Sequence, residues 1–183
     1  IGAGRIGQAT AKRAKAFGMK VIGTKRDINK GIDKLKDIVD EIYPMEKKEE
    51  VIEKSLFIFV SVPLTKETEN LIGEKELNLM KDKYLINISR GKVVNEEALY
   101  NSLKDGILKG AAIDVWYNYP KPGEKIYPSK YPFHELDNII MTPHSAGFTL
   151  ESVQRNWLFT FKNIIKFAKG ENIENIVDPE KQY

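Results

Sequence analysis

The 183 residues are enough for one full domain with its own core, and 42% of them are hydrophobic and 30% charged. The 29 basic and 26 acidic residues leave a formal net charge of +3, which is too balanced to indicate nucleic acid or an anionic membrane as a partner. The absence of cysteine excludes disulfides and thiolate chemistry, so a cytoplasmic location is the default expectation.

The apolar runs of the chain are all short. Ser55–Leu64 (SLFIFVSVPL) falls well below the roughly 18 residues of a membrane span, and no charged-then-apolar signal segment opens the sequence. Ile1 leads directly into a glycine-rich turn, without the strand that ordinarily precedes such a turn. The expectation is therefore a piece of a longer protein, and no metal site is predicted.

Short apolar runs alternate with longer amphipathic stretches along the chain. The apolar runs show little polar alternation, which predicts buried strands at Met19–Gly23, Asp37–Tyr43, Leu56–Val60, Tyr84–Ile88, Ala111–Val115 and Asn138–Thr142. The amphipathic stretches predict helices at Ile6–Phe17, Lys47–Lys54, Glu74–Met80, Glu96–Asp105 and Thr149–Lys169. This alternation favours an α/β fold with a doubly wound parallel sheet, a three-layer Rossmann-type dinucleotide-binding domain.

The domain organisation follows from the same pattern. We expect a dinucleotide-binding domain over residues 1–148, with its first strand truncated, followed by a long helix and tail over residues 149–183. Asn95 and Thr149 are good N-cap residues for the helices that follow them. The long irregular segment Trp116–Asp137 is expected to be functional or to form an interface.

The glycine-rich turn IGAGRIG places Gly2, Gly4 and Gly7 in the G-x-G-x-x-G pattern. Glycines in this pattern allow a tight turn, close approach of the backbone to a pyrophosphate and close packing of a helix on a strand. The helix that follows offers its N–H groups and the positive end of its dipole to phosphates. Because a helix and then a strand follow at the right distance, the pattern predicts dinucleotide binding rather than a turn without function.

The end of the second strand of such a domain bears on which dinucleotide binds. Domains that bind NAD usually carry Asp or Glu about 20 residues after the glycines, to hold the ribose 2′-hydroxyl. This chain has Lys25 and Arg26 instead, two cations that would neutralise a 2′-phosphate. The expected cofactor is NADP or NAD, with NADP slightly preferred. The alternative is that both cations are solvated loop charges and that Asp27 serves the ribose.

Three further segments resemble one family of enzymes. The segments Ser61–Gly73 (SVPLTKETENLIG), Leu85–Leu99 (LINISRGKVVNEEAL) and Met141–Gly147 (MTPHSAG), together with GAAIDV, resemble the D-isomer-specific 2-hydroxyacid dehydrogenases in order and spacing. The resemblance implies the nucleotide-binding domain of such an enzyme. It also implies that the tail after the last helix returns toward a substrate domain whose N-terminal part is absent from this sequence.

The resemblance implies two residues that act on the substrate. Arg90 in NISRG matches the family's substrate-binding arginine, and a guanidinium can grip the carboxylate of a 2-keto acid and polarise its carbonyl. His144 in TPH matches the family's acid/base, which delivers a proton to the carbonyl oxygen as hydride reaches the carbon. The other histidine, His134, has no motif match and is expected to be a surface or packing residue.

The resemblance also implies further residues that contact the cofactor. Asp114 matches a strand-end aspartate on the nicotinamide side, although a capping role is an alternative. The remaining matches are Val62 and Pro63 beside the adenosine and the nicotinamide ribose, Thr68, Ile88 and Ser89 at further contacts, and Arg5 and Ile6 over the pyrophosphate.

The sequence departs from the family at its third catalytic position. A glutamate usually stands there, five residues after the strand-end aspartate, and pairs with the histidine. Here Tyr119 occupies the position. Three outcomes are open. In the first, Tyr119 holds His144 by a phenolic hydrogen bond, and the pH optimum of keto-acid reduction is shifted downward. In the second, Glu124 or Glu135 takes the place of the glutamate, and in the third the dehydrogenase chemistry has been lost. The retained Arg90 and His144 favour the first outcome.

The predicted function is therefore an oxidoreductase that transfers a hydride between NAD(P)H and a small 2-keto or 2-hydroxy acid. The alternative is a dinucleotide-sensing regulator on the same fold, because a fold does not dictate its function. Another kind of Rossmann oxidoreductase is disfavoured by the SRG and TPH segments together. The resemblance implies a homodimer, to which the aromatic residues after Asp114 would contribute unless they simply cover the sheet edge.

Overall fold

The computed structural model describes residues 1–29, 31 and 35–180; residues 181–183 of the predicted tail lie outside them. The strands are β1 (Ile22–Lys25), β2 (Glu41–Pro44), β3 (Phe57–Val60), β4 (Tyr84–Asn87), β5 (Gly110–Ile113) and β6 (Ile139–Met141). The α-helices are α1 (Arg5–Ala16), α2 (Lys48–Lys54), α3 (Glu74–Asn78), α4 (Glu96–Lys104) and α5 (Leu150–Ala168). Short 3₁₀ turns occur at Met45–Lys47, Gly91–Val93 and Phe133–Glu135.

Every strand pairing is parallel. The strands β3, β4, β5 and β6 form one sheet in that order, and β1 pairs with β2 in a second sheet. The first residues of the chain lie between the two sheets: the Ile1 ammonium donates to the Phe59 carbonyl (2.6 Å), and the Ala3 N–H donates to the Thr24 carbonyl (2.8 Å). Parallel strands linked through helices confirm the predicted α/β class and its doubly wound sheet.

The core lies on the four-stranded sheet. Val60 of β3, Leu85 of β4 and Ile113 of β5 are buried, as expected for strands that read as continuous apolar runs. Leu77 of α3 and Leu99 of α4 pack into the same cluster. The Asn95 side chain accepts the Ala98 N–H at the start of α4, which confirms the predicted cap.

An apolar groove of about 1010 Å³ separates the two sheets next to the first residues of the chain. Ile22 of β1, Phe57 of β3 and Ala11 of α1 are among the residues that line it. Phe57 remains 48% exposed although it belongs to a strand. The groove lies beside β1 and β3 and reaches the glycine-rich turn, since Gly2, Gly7 and Ser61 also line it.

The first predicted strand was placed too early. The sequence predicts it at Met19–Gly23, whereas β1 begins at Ile22. The Met19 N–H still bonds to the Ala14 carbonyl of α1, at 3.1 Å, and therefore belongs to the end of that helix. Val21 is held outside the strand, because its N–H donates to the Asp40 carboxylate.

The second strand was also predicted too early, at Asp37–Tyr43, whereas β2 begins at Glu41. The N–H groups of Ile38 and Val39 both donate to the Leu35 carbonyl, at 3.0 and 2.9 Å. These bonds close a turn, so the backbone becomes extended only after it.

The described chain divides into two compact units, Ile1–Pro143 and His144–Tyr183. In the second unit Thr149 caps α5 as predicted, because its hydroxyl accepts the Ser152 N–H at 3.1 Å. Most large apolar side chains of α5 are more than half exposed, among them Trp157, Leu158, Phe161, Ile164, Ile165 and Phe167, whereas Val153 and Phe159 are half-buried. Across the described residues, no helix is long and apolar enough to cross a membrane.

Candidate functional site

Several predicted site residues of the first unit lie at or just after the carboxyl ends of its strands. Lys25 ends β1 and Arg26 follows it; Val62 and Pro63 follow β3, Ile88, Ser89 and Arg90 follow β4, and Asp114 follows β5. The carboxyl ends of parallel strands meet at one edge of a sheet, where open α/β sheets bind their ligands. The fold therefore brings the residues after β3, β4 and β5 to one edge of the four-stranded sheet, while Lys25 and Arg26 lie at the carboxyl end of β1 in the second sheet.

The glycine-rich turn is fixed by two hydroxyl groups. The Gly2 N–H donates to the Thr24 hydroxyl (3.1 Å), and the Ser61 hydroxyl donates to the Gly2 carbonyl (2.9 Å). Gly7 packs so closely on this turn that an added Cβ would lie 2.3 Å from the Gly2 oxygen, so no other residue fits there. Sequence reasoning missed Thr24 and Ser61, whose only signal was a polar residue near the end of each apolar run.

The surface above the turn suits a pyrophosphate. A Cβ added at Gly4 would meet no atom within 4 Å, so the space beside the turn is open. Gly4 is the N-cap of α1 and provides no side-chain cap, which leaves the positive end of the helix dipole facing that space. Arg5 and Ile6 begin the helix and are exposed. These features fit the phosphates of a dinucleotide.

The cations at the end of β1 have defined neighbours. The Arg26 guanidinium lies 3.0 Å from the Glu67 carboxylate, which belongs to the loop after β3. The Lys25 ammonium lies near Gly31, since a Cβ added to that glycine would be 3.6 Å from it. Asp27 accepts the Asn29 N–H, at 3.0 Å. The carboxylate of Asp27, the alternative ligand of the ribose, therefore bonds to the backbone of its own turn.

The loop after β3 is held from inside by buried threonines. The Thr68 hydroxyl accepts the Thr65 N–H (2.8 Å) and donates to the Pro63 carbonyl (2.6 Å). Thr68 and Val62 are buried. The predicted cofactor contacts Val62, Pro63 and Thr68 are thus parts of one ordered turn, and its side chains fix the path of its backbone.

The loop after β4 is organised by Asn87, the last residue of the strand. Its side-chain oxygen accepts from both the N–H (3.0 Å) and the hydroxyl (2.7 Å) of Ser89, and its amide nitrogen donates to the Arg90 carbonyl (3.1 Å). The Arg90 guanidinium donates to the Ser89 carbonyl and is otherwise directed away from the core, because Arg90 is exposed. Asn87 was missed in the sequence analysis, although an amide at the end of a buried strand could have indicated such a role.

Asp114 is buried and joined to the segment that leads to His144. Its carboxylate accepts from the Thr142 hydroxyl (2.6 Å), while the Trp116 indole N–H donates to the Thr142 carbonyl (2.9 Å). Thr142 is therefore held at both its side chain and its backbone. It was not predicted as a site residue, although it stands directly before the Pro143–His144 pair.

The aromatic segment after β5 packs mainly within its own unit. Trp116 and Phe133 belong to the core cluster, with ring centroids 6.1 Å apart, and Tyr131 stacks on Tyr100 of α4. The Tyr117 hydroxyl donates to the Val94 carbonyl, and burial raises the pKa of Tyr117 above its ordinary value. Trp116 and Phe133 therefore belong to the core and Tyr117 and Tyr131 pack against it, whereas Tyr127 is 80% exposed.

The backbone contacts of the same segment explain why a glycine follows Arg90. A Cβ added at Gly91 would lie 2.3 Å from the Trp116 carbonyl oxygen, so only glycine fits where the two loops cross. Tyr119 is 48% exposed, and its hydroxyl accepts the Trp116 N–H at 3.0 Å. The Glu124 carboxylate accepts the Lys121 N–H of its own turn.

His144 opens the second unit and carries an unusual backbone. Its φ of 57° lies in the left-handed region, which few non-glycine residues adopt, although Asn, Asp and His do so more often than others. Backbone conformations of this kind are found more often at functional sites. His134 is exposed and lies 4.0 Å from Glu135, as expected for a surface residue. Across residues 1–29, 31 and 35–180, no group of three or more histidine, aspartate or glutamate side chains is arranged to hold a metal ion.

A parallel sheet with a glycine-rich turn before its first helix defines a dinucleotide-binding α/β protein. The family model described as D-isomer specific 2-hydroxyacid dehydrogenase, NAD binding domain, matches residues 1–146. The chain therefore belongs to the D-isomer specific 2-hydroxyacid dehydrogenase family, as the resemblance predicted.

Individual relatives agree with this family. The chain is 39% identical over 181 residues to a glyoxylate reductase from Korarchaeum cryptofilum, covering 98% of this chain and 51% of that protein. It is similar to the NAD-complexed structure of a D-isomer specific 2-hydroxyacid dehydrogenase from Lactobacillus delbrueckii, with a TM-score of 0.85, 30% identity and coverage of 97% and 54%.

A third relative carries the other cofactor. The structure of an NADPH-dependent glyoxylate/hydroxypyruvate reductase from Sinorhizobium meliloti, in complex with NADP and sulfate, matches with a TM-score of 0.81 and 25% identity. This match covers 100% of this chain and 55% of that one. The chain thus spans about half the length of the relatives it matches.

Proposed function

We propose that this chain is the cofactor-binding part of an NAD(P)-dependent D-2-hydroxyacid dehydrogenase, which reduces a small 2-keto acid and catalyses the reverse reaction. The observation that supports the proposal is that residues matching the family's motifs follow the carboxyl ends of β3, β4 and β5 at one edge of the four-stranded sheet. Glyoxylate is the first substrate to test, because relatives of this chain are named glyoxylate reductases. The bound cofactor would supply the hydride.

The roles we propose divide between the cofactor and the substrate. Gly2, Gly4, Gly7, Arg5 and Ile6 would hold the pyrophosphate through the turn and the start of α1. The other cofactor contacts would come from Lys25, Arg26, Val62, Pro63, Thr68, Ile88, Ser89 and Asp114. NADP is slightly preferred, since the two cations would neutralise a 2′-phosphate.

The substrate would be held and protonated by three side chains. Arg90 would bind the carboxylate of the keto acid, and His144 would deliver a proton to the carbonyl oxygen. Tyr119 would take the place of the usual glutamate and position the histidine by a phenolic hydrogen bond. We also propose a homodimer, a cytoplasmic location and a tail after residue 149 that returns toward a substrate domain.

The test is a reduction assay on the purified full-length protein with glyoxylate, hydroxypyruvate, pyruvate and phenylpyruvate, using NADPH and NADH in turn. We expect Arg90→Gln to lower kcat/KM by about 100-fold or more, because a charged hydrogen-bonding partner of the substrate is removed. Arg13→Gln is the matched control, since that arginine lies on α1 and donates to the Ala9 carbonyl. Equal activity of the two variants would remove Arg90 from the site.

The role of Tyr119 is tested by Tyr119→Phe, which removes only the hydroxyl. If the hydroxyl positions His144, the pH profile of keto-acid reduction shifts. An unshifted profile would exclude Tyr119 from the mechanism and leave its bond to the Trp116 N–H as a purely structural contact.

A dinucleotide-sensing regulator is the second candidate, and the replacement of the glutamate by Tyr119 is the observation that favours it. A sensor would bind NADPH or NADH in an equilibrium titration yet turn over none of the four keto acids. An enzyme would do both, so the same assay separates the two candidates.

A further inference from the structure

The Arg26–Glu67 pair lies across the proposed cofactor site. Arg26 follows β1 by one residue, and Thr24 of the same strand contacts the glycine-rich turn through both its hydroxyl and its carbonyl. Glu67 comes from the loop after β3, on the other side of the first residues of the chain. The ion pair, at 3.0 Å, therefore bridges the two loops that border the turn.

The loop presents Glu67 from an ordered base. Buried Thr65 donates its N–H to the Thr68 hydroxyl, which in turn donates to the Pro63 carbonyl, and the Thr68 N–H donates to the Thr65 carbonyl (3.1 Å). The Glu67 side chain itself is 75% exposed, and that of Arg26 is 44% exposed. The loop thus sets the position of the Glu67 carboxylate, while the free energy of its interaction with Arg26 is that of a surface ion pair.

A carboxylate on Arg26 bears directly on the choice of cofactor. A 2′-phosphate carries a charge near −2 at neutral pH and would compete with Glu67 for the same guanidinium. The 2′-hydroxyl of NADH carries no charge and would not compete. Glu67 therefore opposes one dinucleotide and leaves the other unaffected.

We propose that Glu67 is a specificity-determining residue that holds Arg26 in the cofactor-free protein and weakens the binding of NADPH relative to NADH. This inference rests on the proposed binding of a nicotinamide dinucleotide at the glycine-rich turn. The cations that bind the 2′-phosphate then set only part of the selectivity between NADPH and NADH. The competing Glu67 carboxylate limits how strongly they favour NADPH.

The test is an equilibrium titration of the purified full-length protein with NADPH and with NADH in physiological salt, where charges farther apart than about 8 Å are screened. The variant is Glu67→Gln, and the matched control is Glu69→Gln, which removes the same charge from the same loop. We expect Glu67→Gln to tighten NADPH binding about twofold to fivefold, as release from a surface ion pair allows. Its NADH affinity and both affinities of Glu69→Gln stay within about 1.5-fold of the unmodified protein.

Arg26→Gln provides the second measurement. In that background Glu67→Gln should no longer tighten NADPH binding, because the guanidinium for which the carboxylate competes is gone. Glu67→Ala also removes the carboxylate but introduces no amide group. It should reproduce the effect of Glu67→Gln, which would show that the effect does not come from the new amide.

Two outcomes overturn the inference while the proposed function stands. In the first, Glu67→Gln and Glu69→Gln change the NADPH affinity equally; in the second, Glu67→Gln tightens NADH as much as NADPH. Failure of the proposed function looks different, because the unmodified protein would then bind neither dinucleotide.

Discussion

At the residue scale, the contacts of Thr142 give the aromatic segment after β5 a definite role. Its hydroxyl donates to buried Asp114, and its carbonyl accepts from the Trp116 indole. Asp114 and Trp116 thus fix the residue that directly follows β6. Trp116, one of the aromatic residues expected to cover the sheet edge or form an interface, therefore helps to hold the end of that strand in place.

The hydroxyl of Thr142 can be removed with little change in shape. We expect Thr142→Val to lower the free energy of unfolding by about 1–3 kcal/mol, because the buried Asp114 carboxyl group loses a hydrogen-bond donor. Thr142→Ser keeps the donor and should cost less than half as much. Urea denaturation measures both, and equal losses would mean that the methyl group matters rather than the hydrogen bond.

At the element scale, a single carboxylate joins α2 to α3. Glu76 of α3 accepts the Gly73 N–H at the start of its own helix (2.9 Å) and lies 2.9 Å from the Lys48 ammonium of α2. Burial raises the pKa of Glu76, but the bonds from Lys48 and Gly73 outweigh it and hold the pKa below its ordinary value. One buried side chain thus serves both as helix cap and as interhelical contact.

We expect Glu76→Gln to lower the free energy of unfolding by about 1–3 kcal/mol at neutral pH, since two hydrogen bonds lose their charged acceptor. Glu74→Gln is the matched control, because Glu74 belongs to the first turn of the same helix and is exposed. The free energy of unfolding of Glu74→Gln should stay within about 0.5 kcal/mol of that of the unmodified protein. Thermal unfolding at fixed pH measures the difference.

The same carboxylate predicts a pH dependence. The folded-state pKa lies below the unfolded value, so the stabilisation is present above the ordinary pKa of 4.5 and is lost as the pH falls through the lower folded value. The gap in stability between the unmodified protein and Glu76→Gln should therefore narrow on acidification. A difference in stability that does not change with pH would mean that packing, and not the charge of Glu76, causes the effect.

At the scale of the whole molecule, the first residues of the chain bond to both sheets. Ile1 and Ala3 bond to β3 and β1, and the groove beside them exposes Phe57 and Ile22 along strand edges that could each pair with a further strand. A polypeptide extended before Ile1 by five apolar, β-branched residues should fill this groove as a parallel strand. We expect its melting temperature to rise by about 4–8 °C, as for about 2 kcal/mol in a domain of this size.

An extension of equal length that contains two prolines is the control, because proline cannot donate to a strand ladder. An equal rise in melting temperature from both extensions would contradict the addition of a strand.

Much of the fold could be predicted from the sequence, because its signals are local. The glycine pattern of Gly2, Gly4 and Gly7, the apolar runs of β3 to β5 and the caps Asn95 and Thr149 depend on neighbours within a few residues. The starts of β1 and β2 were misplaced where the backbone is held by partners outside the run, as Asp40 holds Val21. Local propensity carries no information about such partners.

The sequence by itself determined the family, the parallel α/β sheet and the edge at which the candidate residues gather, since strand-end positions and motif spacing are properties of the chain alone. Only the tertiary structure decided which polar groups meet at that edge. The Thr142–Asp114 and Arg26–Glu67 contacts join loops that follow different strands, and their existence depends on strand order and register. Those quantities are set by packing of the whole sheet, which no single segment encodes.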